Sequence, residues 1–290
     1  MSTTKISKAG RKPKKLALQP TRRDIKFDLP ADKIATWNKN SAHLSHFMNT
    51  MSIVFPVGER FFIQSVRNYR DHITDPELQK AVTGFIGQEA MHGREHEEYN
   101  EALFARAPSA KKFEDHIARL LGAVQKDLPK STQLAATIAL EHFTAIMADA
   151  LLKNPEMLEN TDPRFATLWR WHALEETEHK AVAFDVWESV MGRGPRAYVE
   201  RVGALLSATV IFWYKIFPTY VRILRDEGKL SDLKGWKLWF DYSLGRVGFL
   251  RKLAGPWADY FRPNFHPWDH DNRHFLAQLE DFSGDYKAVA

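Results

Sequence analysis

One short arrangement of acidic and histidine residues occurs twice in this chain. Each copy has a single glutamate, followed 30 or 35 residues later by a glutamate and a histidine three positions apart. The members are Glu59 with Glu89 and His92 in the first copy, and Glu141 with Glu176 and His179 in the second. Equivalent positions are separated by 82 residues for the single glutamates and by 87 residues for the pairs. These similar intervals indicate a duplicated pair of helices, each copy of which supplies half of one site.

The residues around both pairs agree with a duplication. Gln88 precedes Glu89 as Glu175 precedes Glu176, and each pair begins 14 residues after an Asp-Pro step. Aspartate caps the free amide groups of a first helical turn, and proline suits the first helical position. Both pairs are therefore predicted to lie about four turns into a helix, in the same phase.

The six side chains together suit a pair of metal ions. Helix positions three apart project from one face, so each glutamate–histidine pair can present an oxygen and a nitrogen to one ion. Glu59 and Glu141 share helical faces with apolar residues, so both are expected in the core. Four buried carboxylates need compensating charge, which two divalent ions would supply. This is the ligand pattern of ferritin-like di-metal carboxylate bundles.

The composition limits which metals the site could bind. The chain has no cysteine, so every ligand must be an oxygen or a nitrogen. Such a donor set favours iron, with manganese or zinc as alternatives. A single glutamate–histidine pair would more simply be a surface pair or a capped turn. Its repetition in phase, with a core-facing glutamate before each copy, is what favours two metal ions.

Further residues near the pairs are candidates for the same site. His172 lies one turn before Glu176, where it is either a seventh ligand or a core histidine. His96 and His142 are weaker candidate ligands. Asp149 is a candidate for orienting a ligand histidine.

Helical periodicity dominates the sequence from about residue 42 onward, and strand signals are sparse. Helices are predicted over residues 42–73, 76–106, 110–127, 131–153, 163–191, 196–227, 232–252 and 272–282. The predicted fold class is all-α: a ferritin-like four-helix bundle with a di-metal centre plus additional C-terminal helices. We divide the chain into a tail (1–30), the metal-binding bundle (31–195) and an apolar, aromatic extension packed on the bundle (196–290).

The N-terminal tail carries a charge unlike that of the remaining chain. Residues 1–23 hold eight lysines or arginines and no acidic residue, although the net charge of the whole chain is only +5. We interpret residues 1–30 as a disordered, solvated tail, with contact to nucleic acid or anionic lipid as the alternative, of which nucleic acid is the less expected partner of the protein. The tail lacks the apolar run of a signal peptide, which favours a cytoplasmic protein.

The most apolar stretch lies in the C-terminal part. It is almost wholly apolar and aromatic from Val202 to Tyr214, and is then interrupted by Lys215 and Pro218. An unbroken transmembrane helix needs about 20 apolar residues. A buried or interfacial helix is therefore favoured over a spanning one, and peripheral membrane association is left open. The oligomeric state is also left open, with a homodimer as one candidate.

Several blocks of sequence resemble a bacterial family labelled "predicted metal-dependent hydrolase". The similar blocks are residues 55–62, 84–89, 92–96, 139–144, 171–176, 178–185, 260–263 and 265–268, within a resemblance that runs from about residue 30 to 280. They include all six ligand positions. The histidine at position 172, with Glu176 and His179, is also similar to the extra-histidine pattern of di-iron arylamine N-oxygenases. That second similarity implies O2 chemistry and covers the site motif alone.

These observations favour a non-haem di-iron oxidase or oxygenase that activates O2 for oxidation of a hydrophobic small molecule and draws on an electron donor. A metal-dependent hydrolase, which would use a metal-activated water, is the alternative enzyme. Metal storage or sensing is the non-enzymatic alternative, although the apolar, aromatic extension of 95 residues after the bundle is unlike a cage-forming bundle. A metal-free helical interaction protein is the remaining hypothesis.

Overall fold

The structure, a computed structural model, describes residues 18–282 of the chain. Within that range it has nine α-helices and no strand, which confirms the all-α class. The helices are α1 (Ala42–Arg67), α2 (Pro76–Phe104), α3 (Pro108–Asp127), α4 (Lys130–Lys153), α5 (Pro163–His179), α6 (Val182–Met191), α7 (Pro195–Asp226), α8 (Leu233–Ser243) and α9 (Phe249–Asp259). A 3₁₀ helix, Arg273–Phe282, follows them.

The starts of the site-bearing helices follow the predicted local chemistry. The side chain of Asp75 accepts a hydrogen bond from the backbone N–H of Glu77, and Asp162 accepts one from that of Arg164. Proline occupies the first position of both α2 and α5. Each cap satisfies a backbone donor that the helix itself leaves unpaired. The two helices that carry the glutamate–histidine pairs therefore begin at equivalent places.

Four helices surround the candidate site, and they pack as two pairs. Helix α1 lies along α2 and α4 lies along α5, while α1 also contacts α4 and α2 contacts α5. The later helices cover this group: α7 packs on α4, α1 and α3, α8 packs on α1, and α9 packs on α4. The buried apolar residues of the described chain form two clusters. The division of the chain at residues 195 and 196 stays a prediction.

Two long predicted helices are each divided in the structure. The predicted helix 163–191 breaks at Lys180 and Ala181 to give α5 and α6, without a proline or glycine to mark the break. Lys180 is buried there, and its ammonium donates to the backbone oxygen of His270 and to Asn272 Oδ1. The predicted helix 232–252 ends at Ser243 and resumes as α9 after Gly248, whose φ is +65°. The last predicted helix is 3₁₀ rather than α.

Residues 18–30 are folded, which corrects the expectation of a disordered tail through residue 30. Ile25 and Phe27 are buried in the core. The segment crosses α2 where that helix has Gly84, and a Cβ at this glycine would lie 2.0 Å from the backbone oxygen of Pro20. Any larger residue at position 84 would displace the segment. The rest of the predicted tail, residues 1–17, lies outside the described residues.

Two helices of the described chain are long and apolar enough to cross a membrane by length and composition alone. Helix α4 is one of them; an apolar 18-residue stretch of this helix is 83% buried, because the helix belongs to the core and carries Glu141. Helix α7 is the other, and only 17% of its apolar 18-residue stretch is buried. Packing within residues 18–282 therefore explains the apolar character of only one side of α7.

Candidate metal centre

The structure brings all seven predicted site residues together at the centre of the four helices. Each is almost completely buried, with no more than 4% of its surface exposed. They come from α1 (Glu59), α2 (Glu89 and His92), α4 (Glu141) and α5 (His172, Glu176 and His179). The two halves of the duplicated pattern thus meet in one cluster rather than forming two sites.

The cluster offers two neighbouring positions for a cation. One set of three potential ligands is Glu59, His92 and His172, and another is Glu89, Glu141 and His179; within each set the ligand atoms lie within 4.8 Å of one another. A third such set combines Glu89, His92 and Glu176. Glu89 therefore belongs with residues of both positions. A carboxylate placed in this way can bridge two metal ions.

His179 directs one ring nitrogen at the carboxylates and uses the other to hold its orientation. Its Nδ1 lies 2.9 Å from Gln88 Oε1, an oxygen that can only accept, so Nδ1 carries the proton. Its Nε2 lies 3.0 Å from Glu89 Oε1 and 3.6 Å from Glu176 Oε2, without the direction of a hydrogen bond. The Nε2 lone pair is therefore directed into the centre, as a metal ligand requires.

His92 is held in the same way by the other half of the chain. Its Nε2 donates to Glu175 Oε2 at 3.1 Å, and its Nδ1, with no hydrogen-bond partner, is directed toward Glu89. Glu175 is fixed in turn by Arg23, which lies 2.9 Å from its other oxygen. Gln88 and Glu175 are equivalent positions of the duplication. Each half of the chain therefore orients the histidine of the other half.

A chain of three polar side chains, Asn100, Ser52 and His96, orients His172. Ser52 Oγ donates to Asn100 Oδ1 at 2.7 Å, so it accepts from His96 Nδ1 at 2.8 Å. His96 Nε2 then accepts from His172 Nδ1 at 2.8 Å, which leaves the lone pair of His172 Nε2 directed at Glu176 Oε1, 3.1 Å away. Two acceptors at that distance repel unless a cation or a proton lies between them. His96 therefore supports His172 and is not itself placed to bind an ion.

The unpaired atoms of the cluster provide a test of whether metal ions fit. Both carboxylate oxygens of Glu59, Glu89 and Glu141 are buried without a hydrogen-bond partner, as are Glu176 Oε2, His92 Nδ1 and His179 Nε2. Buried polar atoms are normally paired, because leaving them unpaired costs about 1–3 kcal/mol each. Other buried atoms of the described chain also have no partner, but nine unpaired atoms are concentrated on six of the predicted ligands. Two divalent cations would satisfy them, so the residues fit the predicted metal pair.

The electrostatics of the metal-free cluster lead to the same conclusion. Burial, together with the neighbouring carboxylates, raises the pKa of Glu59 and of Glu141 well above the usual value, and burial raises the pKa of Glu89 to about 7. Burial alone would lower the pKa of His179, but Glu176 and Glu89 raise it well above its usual value. Without cations the cluster therefore takes up protons, which bound cations would displace.

These shifts predict how the metal-free protein responds to pH. Glu89 binds its proton more tightly when folded than when unfolded, so its contribution to stability is present at pH 5 and is lost as the pH rises through about 7. Glu176 has a lowered pKa and stays ionised over this window. Buried His46 and His142 act in the opposite direction, because burial lowers the pKa of their imidazoles to about 4 and about 3. We therefore expect the melting temperature of chelator-treated wild type to fall more steeply, or to rise less, from pH 5 to pH 8 than that of chelator-treated Glu89→Gln. Equal slopes for the two proteins would contradict the assigned direction.

Other candidate residues lie away from the cluster. His142 Nε2 bonds the backbone oxygen of Pro256 at 3.1 Å, which ties α4 to α9. Asp149 pairs with Lys153 and accepts from Asn272, so it does not orient a ligand histidine as predicted. Gln88 and Glu175 have that role instead. Their equivalence in the duplicated sequence was visible, but their orientation across the cluster depends on how the two helix pairs face each other.

Gly93 leaves the space that Glu59 occupies. A Cβ at position 93 would lie 3.2 Å from Glu59 Oε2, whereas a Cβ at Gly122 on α3 would meet nothing within 4 Å. We expect Gly93→Ala to displace the carboxylate and to lower occupancy of the position that Glu59 faces. The matched control Gly122→Ala should keep full metal content and gain about 0.5–1 kcal/mol, because alanine favours a helix. Elemental analysis and thermal melts of both variants test this, and equal metal content would contradict it.

Because Glu175 contacts His92, two substitutions of Glu175 are expected to weaken metal binding to different extents. Partners of this kind typically change metal affinity by about 10–100-fold, so Glu175→Leu should weaken binding by that factor. Glu175→Gln should weaken it less, because glutamine keeps an acceptor and is the residue found at the equivalent position 88. Competitive metal titration measures the series, with exposed Glu159→Ala as control. Equal affinities for the leucine variant and the control would show that Glu175 does not orient a ligand.

A large apolar cavity adjoins the cluster. Its volume is about 470 Å³, and Glu59 is the member of the seven-residue cluster that lines it. The other walls come from α1, α3, α4 and α7 and are mostly aliphatic or aromatic, including Phe62, Phe113, Leu140 and Phe212. Pockets of this size and character take small hydrophobic molecules. A small hydrophobic molecule bound in this cavity would lie beside the candidate metal centre.

The fold and the cluster define a helical protein with a candidate carboxylate–histidine centre for two metal ions. Comparison with protein families gives a match over residues 21–271 to the family described as "predicted metal-dependent hydrolase". The chain therefore belongs to this family, as its sequence blocks indicated. The search of curated proteins and that of solved structures give no match. The all-α class is shown, and the ferritin-like arrangement stays a prediction.

Proposed function

We propose that the protein is a metal-dependent hydrolase that acts on an apolar small molecule at a two-metal centre. The observation that carries the proposal is the convergence of seven buried glutamate and histidine side chains, six of which have oxygen or nitrogen atoms without a hydrogen-bond partner. Membership of the family favours hydrolysis over other metal chemistry. Iron, manganese and zinc all suit the donor set.

Different residues of the chain would have different roles in such a reaction. When bound, divalent cations here supply a Lewis acid that lowers the pKa of water and polarises a carbonyl oxygen. Glu59 lines both the cluster and the cavity, so its carboxylate is placed to accept a proton from a water beside the substrate. Phe62 and Phe143 bind the apolar part of the substrate and exclude bulk water. Gln88, Glu175 and His96 keep the three histidines in their working orientation.

The test compares metals and substrates in the absence of oxygen. Chelated protein is reloaded with zinc, manganese or iron(II) and assayed anaerobically with p-nitrophenyl esters of short and long acyl chains. We expect metal-dependent hydrolysis that improves with acyl length, because longer chains fill the apolar cavity. Failure of every metal to support anaerobic hydrolysis of any ester would remove this proposal.

An oxidase or oxygenase is the second candidate, and the enclosure of the carboxylate-rich cluster beside an apolar cavity favours it. Bundles with this ligand pattern commonly bind iron, which would supply O2 chemistry, and an external electron donor would be required. Consumption of O2 by the iron(II)-loaded protein, greater than that of the Glu89→Ala variant, would support this function. Metal storage predicts a large hollow assembly, which native mass measurement would detect.

A further inference from the structure

Helix α7 presents a row of exposed apolar residues to solvent. The row consists of Val199, Leu206, Val210, Tyr214 and Phe217, whose side chains are between 44% and 71% exposed. Their spacing of three, four or seven positions places them on one side of the helix, over a length of roughly 27 Å. A continuous exposed apolar row of this length marks an interaction surface.

Helix α8 extends this row with a mixed apolar and basic surface. Leu233 and Phe240 are exposed on α8 and Leu244 is exposed directly after it; Lys234 and Lys237 are exposed among them. The two helices join at an aromatic contact, in which the rings of Phe217 and Trp239 lie 5.8 Å apart. We call the exposed residues of the α7 row together with Leu233, Phe240 and Leu244 the apolar face.

The charge around the apolar face complements an anionic surface. Residues 195–252 contain eleven basic and five acidic residues, a net charge of +6. Outside this segment and the basic residues 1–23, the chain has 22 basic and 31 acidic residues, a net charge of −9. Positive charge is thus concentrated in the segment of the chain that carries the exposed apolar residues. Two copies of such a face would repel each other, whereas a bilayer containing anionic lipid would attract it.

The opposite side of α7 belongs to the protein core. Leu205, Ile216 and Tyr220 are buried, and the buried guanidinium of Arg201 donates to the backbone oxygens of Tyr260 and Arg262 at 2.5 and 3.0 Å. A helix surrounded by lipid could not keep these polar contacts with the rest of the chain. This arrangement suits a helix that lies in the plane of a membrane surface with one side immersed.

The apolar face also borders the cavity of the candidate metal centre. Gly203, Ser207 and Ile211 on α7 are exposed and line the cavity at the same time. Lys215, beside Tyr214 of the face, lines it as well. A molecule dissolved in the outer layer of a bilayer would therefore meet the wall of the cavity directly.

We propose that the apolar face docks on the surface of an anionic lipid bilayer, from which a lipid-soluble substrate enters the cavity. The entry of substrate rests on the proposed function, while the docking does not. The lipid surface is the expected occupant because the exposed apolar residues would enter the acyl chains of a bilayer. The exposed lysines among them, Lys234 and Lys237, would then remain at the level of the head groups.

A site-specific fluorophore tests the docking without any turnover. The chain has no cysteine, so Val210→Cys in the full-length protein can be labelled uniquely with an environment-sensitive dye. Exposed Gln64→Cys on α1 is the control position. We expect a blue shift and increased emission at position 210, and none at position 64, on mixing with vesicles of phosphatidylglycerol and phosphatidylcholine. No change at either position would overturn the proposal.

Charge variants separate the face from the basic N-terminal segment. Lys234→Glu with Lys237→Glu should lower binding to the anionic vesicles by roughly 10-fold or more. Lys33→Glu with Lys80→Glu makes the same change of charge at two exposed lysines elsewhere and should have little effect. Equal losses from the two pairs would show that overall charge binds the vesicles, and would exclude docking by this face.

A second copy of the chain is the competing occupant of the face. Val210→Asp with Tyr214→Asp changes two residues that are 68% and 71% exposed and do not line the cavity, so the fold should be kept, as thermal melting would verify. We expect this variant to lose vesicle binding while retaining metal content and any hydrolysis of water-soluble esters. A dimer of the wild type that the two substitutions dissociate, without vesicle binding, would overturn docking on lipid and leave the hydrolase proposal intact.

Discussion

Glu89→Ala is expected to abolish binding at both metal positions. Glu89 belongs to ligand sets on both sides of the cluster, so its removal takes a ligand from each ion at once. Partners of ligands typically contribute 10–100-fold to affinity or activity, so loss of a shared ligand should cost more than about 100-fold. The metal content of the purified variant, measured by elemental analysis, should fall from two ions per chain to well below one.

Glu101→Ala provides the matched control for this result. Glu101 is an exposed glutamate on the same helix, away from the cluster. Its replacement should leave metal content and activity unchanged. A Glu89→Ala protein that still binds two ions per chain would show that Glu89 is not shared between two positions, and the assignment of the centre would then have to change.

Removal of the metal ions is expected to have the largest effect on stability. Each ion, present at a free concentration of 100 times its dissociation constant, stabilises the folded state by about 2.7 kcal/mol. Two ions should therefore contribute about 5 kcal/mol, which corresponds to roughly 10–20 °C in melting temperature for a protein of this size. Thermal melts with and without a chelator measure the difference directly.

Glu141→Gln is expected to change the melting temperature in opposite directions in the metal-free and the metal-loaded protein. In the metal-free protein it removes a buried carboxylate whose two oxygens have no partner, so the variant should melt at the same or a higher temperature than the wild type. In the metal-loaded protein it should melt lower, because a ligand has been lost. A metal-free helical interaction protein would show the stabilisation under both conditions, so the comparison separates the two hypotheses.

The sequence was sufficient to predict which residues meet at the centre. The duplicated spacing, the Asp-Pro helix starts and the burial of Glu59 and Glu141 all follow from periodicity and local chemistry, which act over a few helical turns. The same signals indicated the helix boundaries within a few residues for α2, α3 and α4. At position 172 a core histidine and a ligand have the same local pattern, and only the contact with His96 shows the orientation of this imidazole.

The features that could not be predicted depend on contacts between distant segments. The break after His179 has no local signal and coincides with hydrogen bonds from Lys180 to residues about 90 positions away. Residues 18–30 pack on the helices although their composition resembles that of a solvated tail, because Gly84 allows the backbone of Pro20 to approach α2. Arg23 reaches Glu175 for the same reason. Such partners become visible only when the helices are arranged in space.

The hydrogen bonds that orient His179 and His92 each join one repeat to the other, which bears on how the chain evolved. Gln88 holds His179 and Glu175 holds His92, so neither repeat fixes its own imidazole. A single ancestral repeat would have needed a second copy of itself to complete a centre of this kind. Fusion of the two repeats would have allowed each to change separately. Two identical chains would have had the same residue at both positions, whereas this chain has Gln88 in one repeat and Glu175 in the other.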